Sequence, residues 1–271
     1  MQSLVLAGDD VSANTKGERA LLHARQPLTA GELPEGLRRR AFISFNTSVY
    51  DLRAAAVSVL AASGPELGFG SFQDGSRIIE EFVARDEVFT SFKAEMHWRQ
   101  CVRDSVELCD AFHRLVREVI CPFLKSGLDG DAPRTFYYQF PPTLRLQPGP
   151  SEHKRRLHRD AEYGHQPGEV NFWMPLSNFS KTGTTLWVES EPLKGDLGPL
   201  EIEYGTIAMF HGTVCRHFVP ANPSNFTRVS LDFRVGVDEF YDPAWRLAGM
   251  KTARGKKGGP PGSHGREVCV V

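Results

Sequence analysis

His158 and Asp160 stand two residues apart in the run Leu157-His158-Arg159-Asp160. Side chains alternate along a strand, so both would project from one face. A third ligand from elsewhere would complete two histidines and one carboxylate on one side of a metal. That set suits iron(II), because three coordination positions stay open. Alone the pair is a weak signal: with nine histidines in the chain, roughly half such a match arises by chance. A surface strand that happens to carry a His and an Asp is the bland alternative.

A second constellation is more specific. His217 is followed eleven residues later by Arg228, and Ser230 comes two after that. Arg228-Val229-Ser230-Leu231-Asp232-Phe233 reads as a strand on which Arg228 and Ser230 share a face. A guanidinium fork beside a hydroxyl suits a carboxylate, which it grips through two parallel hydrogen bonds. From composition, that Arg and Ser would follow a given His at these offsets by chance in roughly half a per cent of cases.

With these residues in place, the chain resembles the iron(II)/2-oxoglutarate-dependent dioxygenase superfamily. The surrounding text, HRDAEYGHQPGEVNFWMPLS and TRVSLDFRV, looks closest to the phytanoyl-CoA-hydroxylase-like and small-molecule biosynthetic branches. The resemblance covers about residues 135 to 236. It implies that His158, Asp160 and His217 ligate Fe(II) and form the catalytic centre. It implies 2-oxoglutarate as co-substrate, its C1 carboxylate and keto oxygen on the metal and its C5 carboxylate on Arg228 and Ser230. O2 would take the last position. Oxidative decarboxylation would yield succinate and CO2, with hydroxylation of a small organic substrate.

Other residues are weighed beside these. His211, in Met209-Phe210-His211-Gly212, rivals His217, but Arg228 lies seventeen residues beyond it, a poor fit to the family spacing. It is read as a neighbour of the site or a turn histidine. His165 follows Tyr163-Gly164 and could touch substrate, or be a structural loop histidine. Asn171 and Trp173 share a strand face and line the pocket if that face is inward; Trp173 could equally be plain core. Tyr138, Gln139 and Arg145 lie on the first β segment. One polar residue there often helps bind the co-substrate in the resembled family, and Tyr138 and Arg145 are the candidates. Arg145 inside a barrel would need an anion; an outward, solvated Arg145 is the alternative. Asp232 shares the Arg228 face and could orient it.

The elements that must position these residues change character near residue 130. Helical periodicity dominates before it. A helix is expected from Asp51 to Ala62, capped among Asn46, Thr47 and Ser48 and closed by Gly64-Pro65. Others are expected at Ser76–Ala84, Glu87–Trp98 and Arg99–Lys125. In the last, Val102, Val106, Cys109, Phe112, Val116, Val119 and Phe123 make one apolar stripe. After residue 130 come about eight short β-rich runs: 135–147, 154–159, 169–176, 184–189, 200–204, 206–211, 214–220 and 227–236. Pro141-Pro142 interrupts the first. Eight strands in two packed sheets make a jelly roll. The expected fold is therefore mostly β with flanking helices: a double-stranded β-helix, cupin-like, at residues 131–247. An N-terminal helical region, 1–130, packs on it, and a Gly/Pro/Lys-rich tail, 248–271, follows, all within one overall domain. The tail's residues 248–265 are expected to be mobile or a late-ordering flap.

Composition narrows the function classes. A formal net charge of -1 gives no basic face for nucleic acid, and Arg38-Arg39-Arg40 reads as a solvated helix end. Five cysteines at wide spacings, with no CxxC pair, suggest neither a zinc ribbon nor a disulfide framework. A reducing, cytoplasmic setting is expected. No segment approaches the roughly 18 to 20 apolar residues of a membrane span. The expected partners are thus a small-molecule substrate and O2, with oligomeric state left open. Two alternatives remain at this stage. One is a cupin-like metalloenzyme that does not use 2-oxoglutarate; the other is a non-catalytic jelly-roll binding module.

Overall fold

A computed structural model describes residues 32–73, 75–245 and 265–271. The strands, in chain order, are β1 (Ala41–Ser44), β2 (Gly70–Phe72), β3 (Phe82–Ala84), β4 (Thr135–Phe140), β5 (Thr143–Gln147), β6 (Arg155–His158) and β7 (Glu169–Pro175). They continue with β8 (Trp187–Val188), β9 (Gly198–Pro199), β10 (Thr206–Phe210), β11 (His217–Val219), β12 (Arg228–Val237) and β13 (Gly265–Val270). Seven form a large antiparallel sheet in the order β1-β10-β7-β12-β4-β13, with β5 also on β12. Four form a smaller sheet, β6-β11-β8-β9. The long strand β12 is the spine of the large sheet: β7 runs along one edge, and β5 and then β4 along the other. This is the jelly-roll core that the strand pattern predicts.

The two faces of the large sheet differ in chemistry because residues alternate. Val229, Leu231, Phe233, Val235 and Val237 of β12 are all buried in the principal core, with Val170, Phe172 and Met174 of β7. Helices cover this face: Leu52–Leu67, Phe92–Asp104 and Val106–Leu115 contribute Leu60, Trp98, Val102 and Phe112. The other face turns toward the small sheet. A second apolar cluster lies there, with Trp173 and Phe210 from the large sheet against Val188 and Val219 from the small one. Among the described residues no helix is long and apolar enough to cross a membrane.

The helical region departs from the expected pattern in several places. The stretch expected as one helix, Arg99–Lys125, is broken at Ser105, whose backbone is extended and whose hydroxyl caps the next helix at Leu108 N, 3.3 Å away. A serine makes a better cap than an interior residue, because its side chain satisfies an orphan N–H. Val106 of the presumed stripe is accordingly 71% exposed. Residues Val116–Ile120 form a π-helical turn before the last piece, Cys121–Ser126. Glu87–Trp98 is likewise divided, into Glu87–Thr90 and Phe92–Asp104, with Ser91 as cap. The helix after residue 51 is capped by Asp51 rather than by residues 46–48, and runs through Pro65 to Leu67.

Ser76–Ala84 is not a helix. Only Ile79–Glu81 makes a 3-10 turn, and Phe82–Ala84 pairs with β2. Phe82 is drawn into the core against Phe72 and Trp98, and Thr227 bonds to the Phe82 and Glu80 carbonyls. Tertiary contact overrides local propensity here. The run 200–204 is not a strand; its place beside β8 is taken by Gly198–Pro199. Gly265–Val270, assigned to the tail, is a strand on the edge of the large sheet, paired with β4 along its length. The expectation of a mobile tail falls almost wholly on residues 246–264, outside the described residues.

Candidate metal centre

Strand β6 ends at His158, and His217 of β11 lies directly opposite it across the ladder. Asp160 is not on the strand. Arg159 is extended, and Asp160 begins a 3-10 turn, Asp160–Tyr163, which Gly164 closes at a φ of 94° that favours glycine. The Glu162 carboxylate accepts a bond from Arg159 N at 2.8 Å, and Asp160 N donates to the Gly212 carbonyl at 2.9 Å. The extended Arg159 keeps the alternation going for one residue, so Asp160 faces the same way as His158.

One ligand atom from each of His158, Asp160 and His217 lies within 4.8 Å of the other two. Asp160 Oδ1 is 3.4 Å from His217 Nε2 and 3.7 Å from His158 Nε2. Both imidazoles are fixed from behind. His158 Nδ1–H donates to the Arg156 carbonyl at 2.8 Å, and His217 Nδ1–H to the Cys215 carbonyl at 3.1 Å. These bonds select the tautomer that leaves each Nε2 lone pair free. Asp160 is divided the same way. Its Oδ2 accepts from Asn171 Nδ2 at 2.6 Å and from Arg234 Nε at 2.7 Å, which leaves Oδ1 toward the histidines. Arg234 is held in turn by Gln139 Oε1 at 3.2 Å. Any side chain at Gly212 would strike the Asn171 amide, since an added Cβ would lie 2.6 Å from it.

The charges agree with a cation site. Burial would raise the Asp160 pKa, but the Arg234 guanidinium and the nearby His217 outweigh it and hold the carboxyl well below the usual carboxylate range. Burial, and then His217, push His158 down to about 3. An ionised Asp160 beside a neutral His158 suits a divalent metal. The donor set and its free lone pairs fit iron(II).

On the inward face of β12, six residues before Arg234, Arg228 is 2% exposed. Its Nη2 donates to Ser230 Oγ at 3.3 Å, while Nε and Nη1 are buried without a partner. Burial, then the neighbouring Arg145, lower its pKa to about 9. A buried guanidinium with unused donors is costly until an anion arrives.

The remaining sequence candidates separate. Asn171 reaches the centre, on Asp160. Arg145 faces inward opposite Ser230, but its anion is the chain's own Asp232, at 2.5 Å. Asp232 therefore orients Arg145 rather than Arg228. Tyr138 is on the wrong face for the co-substrate: it is fully buried against Phe112, with its hydroxyl 2.8 Å from His113 Nδ1. Its neighbour Gln139 holds the inward position. Trp173 packs in the apolar cluster between the sheets. His165 Nδ1–H donates to Glu169 at 2.6 Å, and Glu169 also accepts from Arg266 of β13 at 2.6 Å. His211 lies outside the three-residue cluster and donates from Nε2 to the Pro167 carbonyl at 2.8 Å. Sequence reasoning gave no site role to Arg234, although its parity with Arg228 places it on the same face.

No protein-family model matches the sequence. The streptomycin biosynthesis protein StrG of Streptomyces griseus is 34% identical over 129 residues, 46% of this chain and 61% of that protein. The match thus spans less than two thirds of StrG. Among solved structures, the non-heme alpha ketoglutarate dependent carbocyclase SnoK from nogalamycin biosynthesis is 16% identical with a TM-score of 0.50, over 90% of this chain and 99% of that one. AviO1 from Streptomyces viridochromogenes Tue57 is 15% identical with a TM-score of 0.48, over 78% of this chain and 93% of that one. The likeness to SnoK carries the fold. In its double-stranded β-helix fold, the chain resembles the non-heme alpha ketoglutarate dependent carbocyclase SnoK.

Proposed function

We propose that the chain is an iron(II)- and 2-oxoglutarate-dependent oxygenase that hydroxylates or otherwise oxidises a small organic molecule, releasing succinate and CO2. The observation that carries this reading is Arg228, a buried guanidinium with two unpartnered donors on the face of β12 from which Arg234 holds Asp160 of the His-Asp-His cluster. A metalloenzyme that needs no dicarboxylate has no use for such a charge. His158, His217 and Asp160 Oδ1 would hold the iron. Arg228 and Ser230 would receive the distal carboxylate of 2-oxoglutarate. The iron, when bound, supplies the activation of O2. The chain's own contribution is positional: Asn171 and Arg234 aim Asp160, Gln139 aims Arg234, and the Trp173–Phe210 cluster keeps water from one side. A small-molecule substrate agrees with the biosynthetic roles named for StrG and SnoK.

The test is an anaerobic titration with iron(II) and 2-oxoglutarate, followed by the visible charge-transfer band of the chelate. The wild type should develop the band. Asp160→Ala and His217→Ala should lose iron binding, and Arg228→Ala should keep iron but lose the band at the same 2-oxoglutarate concentration. Iron binding with no band in the wild type would send the chemistry to an enzyme that does not chelate 2-oxoglutarate.

A further inference from the structure

A second guanidinium, on the small sheet, has a buried donor without a partner. In β6, Arg155 pairs with Val219 and His158 with His217, so two residues, Arg156 and Leu157, lie opposite one, Phe218. This bulge cancels the odd spacing and brings Arg155 to the same face as His158. The burial pattern agrees: Arg155 and His158 are half-buried, and the two residues between them are exposed. Arg155 Nη2 donates to the Phe89 carbonyl at 2.6 Å, its guanidinium lies 4.5 Å from the centre of the Phe89 ring, and Nε is buried without a partner. Among the described residues no carboxylate forms an ion pair with it. Burial, and then Arg145, lower its pKa, while Glu95, on the helix Phe92–Asp104, and Asp232 act the other way.

Three arginines are thus coupled, and among the described residues only Arg145 has a carboxylate in contact. Arg145 has Asp232. Arg228 and Arg155 do not. In the reading proposed above, on which this step rests, 2-oxoglutarate brings two carboxylates. One goes to Arg228 and the other to the metal, so none is left for Arg155. We infer that the substrate carries an anionic group, a phosphate or a carboxylate, and that Arg155 binds it. By strand rise the group lies about 7–10 Å along β6 from the His158 ligand. The carbon that is oxidised is therefore several bonds away from the anion. Arg155 acts as a specificity residue: it fixes which end of the substrate faces the metal.

Sodium sulfate is a suitable probe, titrated by calorimetry at constant ionic strength into protein holding iron(II) and saturating 2-oxoglutarate under anaerobic conditions. The wild type should bind sulfate with a dissociation constant in the millimolar range, leaving the chelate band in place. Arg155→Gln should weaken sulfate by about tenfold or more while its 2-oxoglutarate titration stays unchanged. Arg155→Lys should retain part of the binding, and Glu95→Gln should tighten it; these two variants decide the matter if the glutamine variant does not fold. The inference is overturned if wild type shows no saturable sulfate binding, if Arg155→Gln binds it equally well, or if sulfate bleaches the band by displacing 2-oxoglutarate from Arg228. Sulfate binding that depends on Arg155 in a protein that never forms the band would instead sink the oxygenase reading and keep the anion site.

Discussion

The two faces of β12 are built from the same ten residues and obey opposite rules. On the helix side Val229, Leu231, Phe233 and Val235 are closed off from water and interlock with Phe172 and Phe112. On the inward side Arg228, Ser230, Asp232 and Arg234 are nearly as well buried, yet each carries a polar group. The first face is stabilised by what it touches. The second is held by hydrogen bonds that are complete at Arg234 and incomplete at Arg228. The difference separates apolar residues that hold the fold from polar ones that, at Arg228, keep spare donors, and one step along the strand moves from one class to the other.

Substitutions on alternate residues should break stability and binding independently. Phe233→Ala removes a ring stacked on Phe172 and edge-on to Phe112. It should cost about 3–5 kcal/mol of stability, read by denaturant unfolding, with 2-oxoglutarate affinity unchanged in the protein that remains folded. Arg228→Met should do the reverse. It should weaken 2-oxoglutarate binding by about 2–5 kcal/mol while the melting temperature stays level or rises, because an uncompensated buried charge has gone. A large loss of stability in Arg228→Met would blur the division between the faces. Arg234→Gln tests the residue that supports Asp160 from the inward face. Iron(II) affinity should fall about 10- to 100-fold, measured by competition with a chelator, with little change in fold.

The smallest expected effect concerns the inward end of β7. Glu169 is buried; burial would raise its pKa, but His165 and Arg266 hold it down to about 2. A depressed carboxyl stabilises the fold above its unfolded value of about 4.3, and that contribution fades as pH falls toward the folded value. Glu169→Gln should therefore be about 1–2 kcal/mol less stable than wild type at neutral pH. The gap should narrow between pH 4.5 and about 2. A gap that is independent of pH would show that the carboxylate is not what His165 and Arg266 hold.

Much of this division is legible in the sequence where one regular strand carries it. The alternation of Arg228 to Phe233 reads directly, and so does the shared direction of His158 and Asp160. Pro141-Pro142 separates β4 from β5, yet the parity holds across it: Tyr138, seven residues before Arg145, faces the helices, and Gln139, six before, faces inward. Legibility fails where regularity breaks. The bulge in β6 conceals Arg155, since by simple alternation it would face away from His158. The stripe from Val102 to Phe123 keeps helical spacing across Ser105, and spacing alone does not reveal that an extended serine breaks it. Arg145 shows a further limit. That an inward arginine needs an anion follows from physics, but whether Asp232 or a ligand supplies it depends on the distance between two strands.

The edges of the large sheet have a consequence for how the molecule assembles. β1 is held by β10, with Ala41 opposite Met209, and β13 by β4, with Val270 opposite Thr135. Each closure joins segments far apart in the chain, and such contacts form slowly because the loop entropy must be met before they give anything back. The strands nearest the metal, β6, β7, β11 and β12, lie between these closures in sequence. During refolding, amide protection should appear in β7 and β12 before it appears in β1 and β13. The cavity would then take shape with its rims still open, and a metal or co-substrate that entered early could be enclosed as the edges zip shut.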